Sequence, residues 1–359
     1  MANIMLTDSC NLHCPYCFAN EFVNHSVNEI SMENLKKAMD FIATARNERL
    51  GLIGGEPTLH SNFKGILQTI IADPRFRDVI LYTNGVKLDE FVNELTHPKF
   101  QILLNCNSPA DMGKAEFKKM CDNLDLYINQ FYMKEKITLG INIYKDSFEY
   151  GYLLELLKKY DFHSVRMSIV VPNTAGKRSL DVKGYFRSVK PKFKEFVYAM
   201  LENDILPYYD CNKMPMCLLT AEEIAAFNDL LHQKNEERRR NNLPPIELPR
   251  QDSAIYTEEV HCSPVVDIRQ DLSAVRCFGL SDCTKVKISD FKCLPDLKNY
   301  YLNEIDTYAF KLGISHGCAN CYRRKTMKCM GGCLAFKIKD ILEIRGQTDI
   351  FARNSENEK

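Results

Sequence analysis

Cys10-Asn11-Leu12-His13-Cys14-Pro15-Tyr16-Cys17 follows directly on the apolar run Ala2 to Leu6, and the reading of these eight residues decides the rest of the chain. Three cysteines spaced four and then three apart, on a loop after a strand, can place three thiolates around one small object. Pro15 and the tight spacing argue against a regular helix through the loop. Thiolate is the ligand of soft metals and of iron–sulfur clusters. Three thiolates on a four-iron cluster leave one iron without a protein ligand, the open position that a reactive metal site needs. Two other uses compete. A disulfide framework is disfavoured in a chain with no export signal. A zinc knuckle wants four ligands, and His13 could supply the fourth.

The chain has 359 residues, 45% hydrophobic, with 47 basic and 47 acidic side chains. That suffices for one large domain and a smaller one, each burying a core. Zero formal net charge gives no electrostatic case for nucleic acid or an anionic membrane. No apolar run approaches the length that spans a bilayer. The N-terminus begins as a strand without a charged-then-apolar leader, so a cytoplasmic location is expected. Fifteen cysteines are the anomaly, and in a reducing compartment they suggest metal ligation rather than crosslinks. Only Cys106 and Cys121 lie between Cys17 and Cys211, whereas eight lie from Cys262 onwards. The asymmetry predicts a scaffold with one cluster, followed by a cysteine-dense module.

Strand and helix patterns alternate over the first two hundred residues. After Ala2–Leu6, Ser31 can cap a helix running to about Arg49, with an apolar stripe of Leu35, Ala38, Met39, Ile42 and Ala45. Leu52-Ile53 enters Gly54-Gly55-Glu56-Pro57. Helix 63–72 leads to a strand at Val79–Tyr82 that ends in Thr83-Asn84-Gly85, and helix 88–95 leads to the strand Gln101–Leu104. Helix 114–130, strand Ile137–Ile143, helix 148–159, strand Val165–Val171 and helix 181–203 complete the series. Six strand–helix units with short connections predict a parallel α/β sheet. The polar clusters Cys10–Cys17, Gly54–Pro57, Thr83–Gly85 and Asn105–Ser108 each fall where a strand has just ended. In parallel α/β barrels, chemistry collects at that rim.

The cysteine spacing, with Tyr16 before the last cysteine, resembles the signature of the radical S-adenosylmethionine (SAM) superfamily, Cys-x3-Cys-x2-Cys. The resemblance implies a partial (β/α)6 TIM-like barrel in which Cys10, Cys14 and Cys17 hold a [4Fe-4S] cluster. Gly54-Gly55-Glu56-Pro57 is similar to the family's Gly-Gly-Glu-Pro motif, which meets the amino group of SAM. The physics agrees, since glycines admit close backbone approach and a carboxylate accepts from an ammonium. Thr83-Asn84-Gly85 is by itself an ordinary turn signal. Asn105, Asn107 and Ser108 stand where related enzymes hold the ribose hydroxyls, and Asn142 and Arg166 where they contact adenine and the SAM carboxylate. Arg166 within an apolar strand needs a partner, and a structural ion pair explains it nearly as well.

From about Pro207 the alternation stops. A helical stretch from Ala221 to about Arg240 ends in Glu236-Glu237-Arg238-Arg239-Arg240, read as a solvated face, and Leu243 to Pro249 reads as a linker. Then come Cys262-x14-Cys277 and Cys318-x2-Cys321-x7-Cys329-x3-Cys333. Zinc in a four-sulfur site competes for these thiols. The pattern resembles the SPASM extension of radical SAM enzymes, which holds auxiliary four-iron clusters. By that resemblance a first auxiliary cluster takes Cys262, Cys277 and Cys333, with Cys217 preferred over Cys211 as fourth ligand. A second takes Cys318, Cys321 and Cys329. Its fourth family cysteine, after Cys333, is missing; Asp349 could replace it, or the cluster keeps an open iron, or it is absent. Cys283 and Cys293 stay unassigned. The expected domains are a barrel over 1–205, an auxiliary-cluster module over 206–345 with a helical insertion at about 219–242, and a tail over 346–359.

The resemblance implies that the reduced cluster cleaves SAM to methionine and a 5′-deoxyadenosyl radical, which takes a hydrogen atom from an unactivated C–H bond. The auxiliary clusters then conduct an electron outward or bind substrate. An external one-electron reductant of flavodoxin or ferredoxin type is implied. The substrate expected is a peptide or protein, with a thioether or carbon–carbon crosslink formed in a ribosomally made precursor. The chain starts at the first barrel strand, so no leader-recognition domain is expected ahead of it. Formylglycine formation of the sulfatase-maturase kind and small-molecule oxidation are the enzymatic alternatives. A zinc-stabilised binding module is the non-enzymatic one.

Overall fold

The computed structural model describes residues 1–17, 19, 23–24, 27–46, 48–170, 181–246, 262, 265–280, 284–307, 313, 316–329 and 332–337. Val171, Cys283, Asp349, part of the 243–249 linker and the 346–359 tail lie outside them. Six parallel strands form as expected: β1 (Ala2–Met5), β2 (Leu50–Ile53), β3 (Val79–Thr83), β4 (Phe100–Asn105), β5 (Ile137–Ile143) and β6 (Ser164–Ile169). Between them run α1 (Met32–Ala43), α2 (Phe63–Ala72), α3 (Val92–Leu95), α4 (Pro109–Met112), α5 (Lys114–Asp125) and α6 (Gly151–Lys159), and α7 (Val182–Glu202) follows β6. Every residue of β1 and β2 is buried, as strands covered on both faces require.

Ser31 caps α1, its Oγ accepting from the Asn34 N–H at 3.1 Å. Leu35, Ala38, Met39, Phe41 and Ile42 form the buried stripe, each large side chain contributing about 1.5–3 kcal/mol. The helix stops at Ala43 rather than near Arg49. The Thr44 hydroxyl donates to the Phe41 carbonyl at 2.6 Å, the local competition that ends helices at such residues.

The alternation does not stop at Pro207. Leu206–Cys211 forms a further strand, β7, parallel to β6 with Val165 opposite Pro207. A proline, which lacks the ladder donor, is tolerated because β7 is the outermost strand on that side. The 205/206 division therefore does not interrupt the sheet. Nor does it end at β1: β8 (Val266–Ile268) pairs parallel with β1, and β9 (Ser273–Val275) and β10 (Val286–Lys287) continue it antiparallel. Among the described residues the order is β10-β9-β8-β1-β2-β3-β4-β5-β6-β7. The cysteine-dense module is thus welded to the barrel's first strand, with Asn3 Nδ2 donating to Asp267 at 2.6 Å across the joint.

Helix α8 (Ala221–Arg240) carries a capping box between Thr220 and Glu223 and packs on α7 through Tyr198 and Phe227, 4.9 Å between rings. Its terminal charge run is not wholly solvated. Arg238 is buried, donating from Nε to the Pro244 carbonyl at 2.7 Å and pairing with Asp204 at 3.4 Å. Sequence pattern alone gave no sign that this one arginine closes the helix end.

Candidate active site at the strand carboxyl ends

Because β1 to β6 are parallel and adjacent, the segments that follow them share one rim. The cysteine loop is strapped to the Gly54–Pro57 turn by two backbone bonds, Gly55 N–H to Thr7 O and Glu56 N–H to Ser9 O, each 2.8 Å. Asn24 accepts from the Cys10 N–H at 2.8 Å, and Asn84 Nδ2 donates to Asn11 Oδ1 at 2.8 Å. Cys10, Cys14 and Cys17 lie close enough for each to feel another's charge. Burial pushes Cys10 up to about 12 and Cys14 up to about 11, and raises Cys17. Half-buried thiols of this kind give up their protons to a metal rather than to water.

Asn107 Nδ2 donates to the Cys14 sulfur at 3.2 Å, and its carbonyl oxygen accepts from the Tyr16 hydroxyl. The Tyr16 ring packs on Tyr144, 4.7 Å between centroids, and Tyr144 in turn donates to Asp111 at 2.8 Å. Ser108 is the N-cap of α4, accepting from the Asp111 N–H at 3.1 Å and donating to its carboxylate at 2.9 Å. Asn142 lies within hydrogen-bonding range of Tyr16. A cavity of about 410 Å³ opens on the loop, lined by Leu12, Cys14, Tyr16 and Cys17 with Tyr144 and Tyr185. That is the size and mixed lining of a small-molecule site.

Glu56 does not point at open space. Its carboxylate is buried and accepts from Thr58 N and Oγ1, Thr83 Oγ1 and Asn84 N, at 2.7–3.2 Å. Burial raises its pKa despite these donors. The side chain ties the ends of β2 and β3 together, so Thr83-Asn84 is part of the site's frame rather than a plain turn. What the turn presents at the rim is backbone.

Arg166 pairs with Asp210 on β7 at 2.6 Å and reaches Asn105 Oδ1 at 3.4 Å. The structural ion pair is therefore present. Two buried polar atoms on β6, Arg166 Nε and Ser168 Oγ, find no hydrogen-bond partner among the described residues. Unpartnered buried polar atoms on β6, the strand that leads to the cavity-lining Val170, together with the three thiols of the loop, suit a polar nucleoside-type ligand and an iron–sulfur cluster. Arg166→Met should lower Tm through the unpaired Asp210. If Arg166 also meets ligand, it should raise the SAM concentration for half-maximal cleavage several-fold, and thermal melts with titrated SAM separate the two effects.

Tyr144, Asp111, Asn11, Asn24 and Ser168 were not evident from the sequence. Asp111 stands three residues after Ser108 before an apolar position, an N-cap signature that could have flagged it. Tyr144 directly follows β5, on the rim where the other polar clusters were found. Nothing in the sequence marks Asn11 or Asn24.

The cysteine-dense part departs from the expected grouping. Cys211, at the end of β7, lies in hydrogen-bond reach of Cys333 and near Cys262 and Cys277. Cys217, the ligand preferred for that group, instead neighbours Cys318, Cys329 and Cys321. Cys211 is the last residue of β7, and Cys217 lies beyond it on the turn Met216–Leu218. Among the described residues, no three His, Cys, Asp or Glu side chains converge as ligands of a single ion. Arg276 lies beside the first group, Nη2 3.5 Å from the Cys262 sulfur, and is paired with buried Asp306. Lys337, pushed down to about 8 by burial, sits near Cys333, Cys329 and Cys262.

Residues 4–174 match the family model of the Radical SAM superfamily, so the barrel part of the chain is a radical SAM domain. SAM and a [4Fe-4S] cluster are the cofactors that this superfamily implies. In solved structures the fold is shared with anSMEcpe bound to AdoMet and the Cp18Cys peptide (TM-score 0.60, 15% identity, 94% of this chain and 90% of that one). It is shared too with Streptococcus suis SuiB bound to precursor peptide SuiA (TM-score 0.57, 15% identity, 94% and 72%). Among curated proteins, a 7,8-dihydro-6-hydroxymethylpterin dimethyltransferase of Methanocaldococcus jannaschii is 38% identical over 90 residues, 24% of this chain and 18% of the relative. A GTP 3',8-cyclase of Pectobacterium atrosepticum is 24% identical over 145 residues, 38% of this chain and 44% of the relative. These matches take in less than half of either relative's length. No described helix is long and apolar enough to cross a membrane.

Proposed function

We propose that this radical SAM enzyme oxidatively modifies a peptide or protein, the conclusion carried by the thiol loop, its rim of polar side chains and a second thiol-rich region on one sheet. Cys10, Cys14 and Cys17 hold the cluster, and Asn107 steadies the Cys14 sulfur while Tyr16 steadies Asn107. A cluster held there would supply one electron for reductive cleavage of SAM, the chemistry this superfamily uses to make a carbon radical. The Gly54–Pro57 backbone meets the SAM amino group, with Glu56 fixing the turn. Asn105, Asn107 or Ser108 meets the ribose, Asn142 the adenine side and Arg166 the carboxylate. Asn107 and Asn142, which flank Tyr16, suit that work better than Ser108, whose hydroxyl is engaged in capping. Tyr144 and Tyr185 wall the cavity against water, which a carbon radical requires.

The peptide reading draws support from two structures solved with peptides bound, whose folds each cover 94% of this chain. A crosslinking maturase of ribosomal peptides, fed by a flavodoxin- or ferredoxin-type reductant, is the specific form proposed. Mass spectrometry of short peptides encoded beside the gene, after coexpression with this protein, tests it; unmodified masses throughout would reject a peptide substrate. Cys10→Ala/Cys14→Ala/Cys17→Ala should abolish 5′-deoxyadenosine formation under dithionite, and residual cleavage at the wild-type rate would remove the cluster assignment.

A further inference from the structure

We propose that Asn107 is a positioning residue for the N-terminal cluster: the Tyr16 hydroxyl holds its amide N–H on the Cys14 sulfur, and that bond makes the cluster easier to reduce. The inference rests on Cys14 as a cluster ligand and goes beyond the ribose contact considered for Asn107.

The contact is built from one loop and one strand end. Asn107 lies two residues beyond the end of β4 and is buried, at 5% exposure. Its Nδ2 donates to the Cys14 sulfur at 3.2 Å, and its Oδ1 accepts from the Tyr16 hydroxyl. A primary amide can turn either end to a neighbour, and its partners decide which. An amide oxygen only accepts, so the phenol draws Oδ1 toward Tyr16 and leaves Nδ2 facing the sulfur. A cysteine sulfur bound to iron has lost its proton and only accepts. The phenol and a bound cluster therefore demand the same orientation of Asn107.

Tyr16 is itself anchored. The Cys17 N–H closes a turn on the Cys14 carbonyl at 3.0 Å, which fixes Tyr16 relative to Cys14. Its ring packs on Tyr144 at 4.7 Å, Tyr144 donates to Asp111 at 2.8 Å, and Asp111 accepts from the Ser108 hydroxyl at 2.9 Å. The Cys10 sulfur accepts from the Leu12 N–H at 3.5 Å, a backbone donor. The donor on Cys14 is a side chain, so it can be removed alone.

The chemical consequence concerns the ease of reduction. One-electron reduction adds negative charge to the cluster, part of it on the ligand sulfurs. An N–H on such a sulfur stabilises the reduced form more than the oxidised one and raises the potential. An external one-electron donor then fills a larger fraction of the clusters.

The test is an EPR-monitored redox titration of the anaerobically reconstituted holoprotein without SAM, following the signal that is missing from Cys10→Ala/Cys14→Ala/Cys17→Ala. Omitting SAM removes any ribose contact from the measurement. In Asn107→Leu the reduced-to-oxidised ratio at a fixed applied potential should fall about tenfold, or about 59 mV for one electron. Tyr16→Phe keeps the ring and frees the amide, so the ratio should fall by a smaller factor, about threefold. An unchanged potential in Asn107→Leu would overturn the proposal, and weakened SAM binding alongside it would return Asn107 to the ribose. Should Asn107→Leu lose its cluster, Tyr16→Phe decides, and an unchanged potential there overturns the hold of Tyr16 on the amide. A signal that survives in Cys10→Ala/Cys14→Ala/Cys17→Ala would remove the cluster assignment itself, a separate failure.

Discussion

Gly55→Ala is expected to empty the N-terminal cluster site while leaving the rest of the barrel folded. A Cβ at Gly55 meets the Ser9 carbonyl oxygen, the Ser9 carbonyl carbon at 2.7 Å and the Asp8 oxygen at 2.9 Å, all backbone atoms. None can swing aside as a side chain can. The same turn holds the loop through Gly55 N–H to Thr7 O and Glu56 N–H to Ser9 O, so relief must come from moving the loop that carries Cys10. Overpacking of this kind costs about 1–3 kcal/mol. Without that cluster no electron reaches SAM, so 5′-deoxyadenosine formation should be lost as in Cys10→Ala/Cys14→Ala/Cys17→Ala. Iron per chain should fall by about four, one cluster's worth. Gly151→Ala is the matched control, since nothing lies within 4 Å of a Cβ there. Wild-type iron and cleavage in Gly55→Ala would mean that the strap does not position the thiols.

The same contact explains why the site was legible in the sequence to the depth it was. Short-range signals survived: the cysteine spacing, the glycines, and polar clusters at strand ends. Each is a local requirement of one loop, and parallel topology then brings the loops together without further instruction. What the sequence concealed depends on long-range packing. Glu56 reads as a ligand-facing carboxylate until Thr58, Thr83 and Asn84 are seen to enclose it. Pro207 reads as a break until β7 is seen to be an edge. The partition of Cys211 and Cys217 between two groups turns on how a strand end and the turn after it diverge, which six residues of spacing do not encode.

Arg276→Met should be the most destabilising single change outside the N-terminal loop. Arg276 and Asp306 are the most deeply buried ion pair described, at 1% and 0% exposure, with Nε to Oδ1 at 3.0 Å and Nη2 to Oδ2 at 3.0 Å. Burial pushes the Asp306 carboxyl up although the guanidinium opposes it, whereas the Arg276 guanidinium is held charged, against its own burial, by Cys262, Cys277 and Asp306. Removing one partner is different. The carboxylate then remains buried with only the charge of the Lys337 ammonium acting on it, and breaking such pairs costs about 3–5 kcal/mol. Arg276→Met/Asp306→Leu, which removes both charges, should recover most of that loss, and urea unfolding of the apo form of each variant measures the difference. Arg276 has a second contact that stability alone does not explain, because Nη2 also reaches the Cys262 sulfur at 3.5 Å and its carbonyl at 3.3 Å. A hydrogen bond and a positive charge on a ligand sulfur favour the reduced, more negative cluster and raise its potential. With Cys262 as a ligand, the double variant should fold yet show a more negative potential for one auxiliary cluster in an anaerobic redox titration, with the Cys10/Cys14/Cys17 cluster unmoved. Equal potentials in the double variant and the wild type would confine Arg276 to holding the fold.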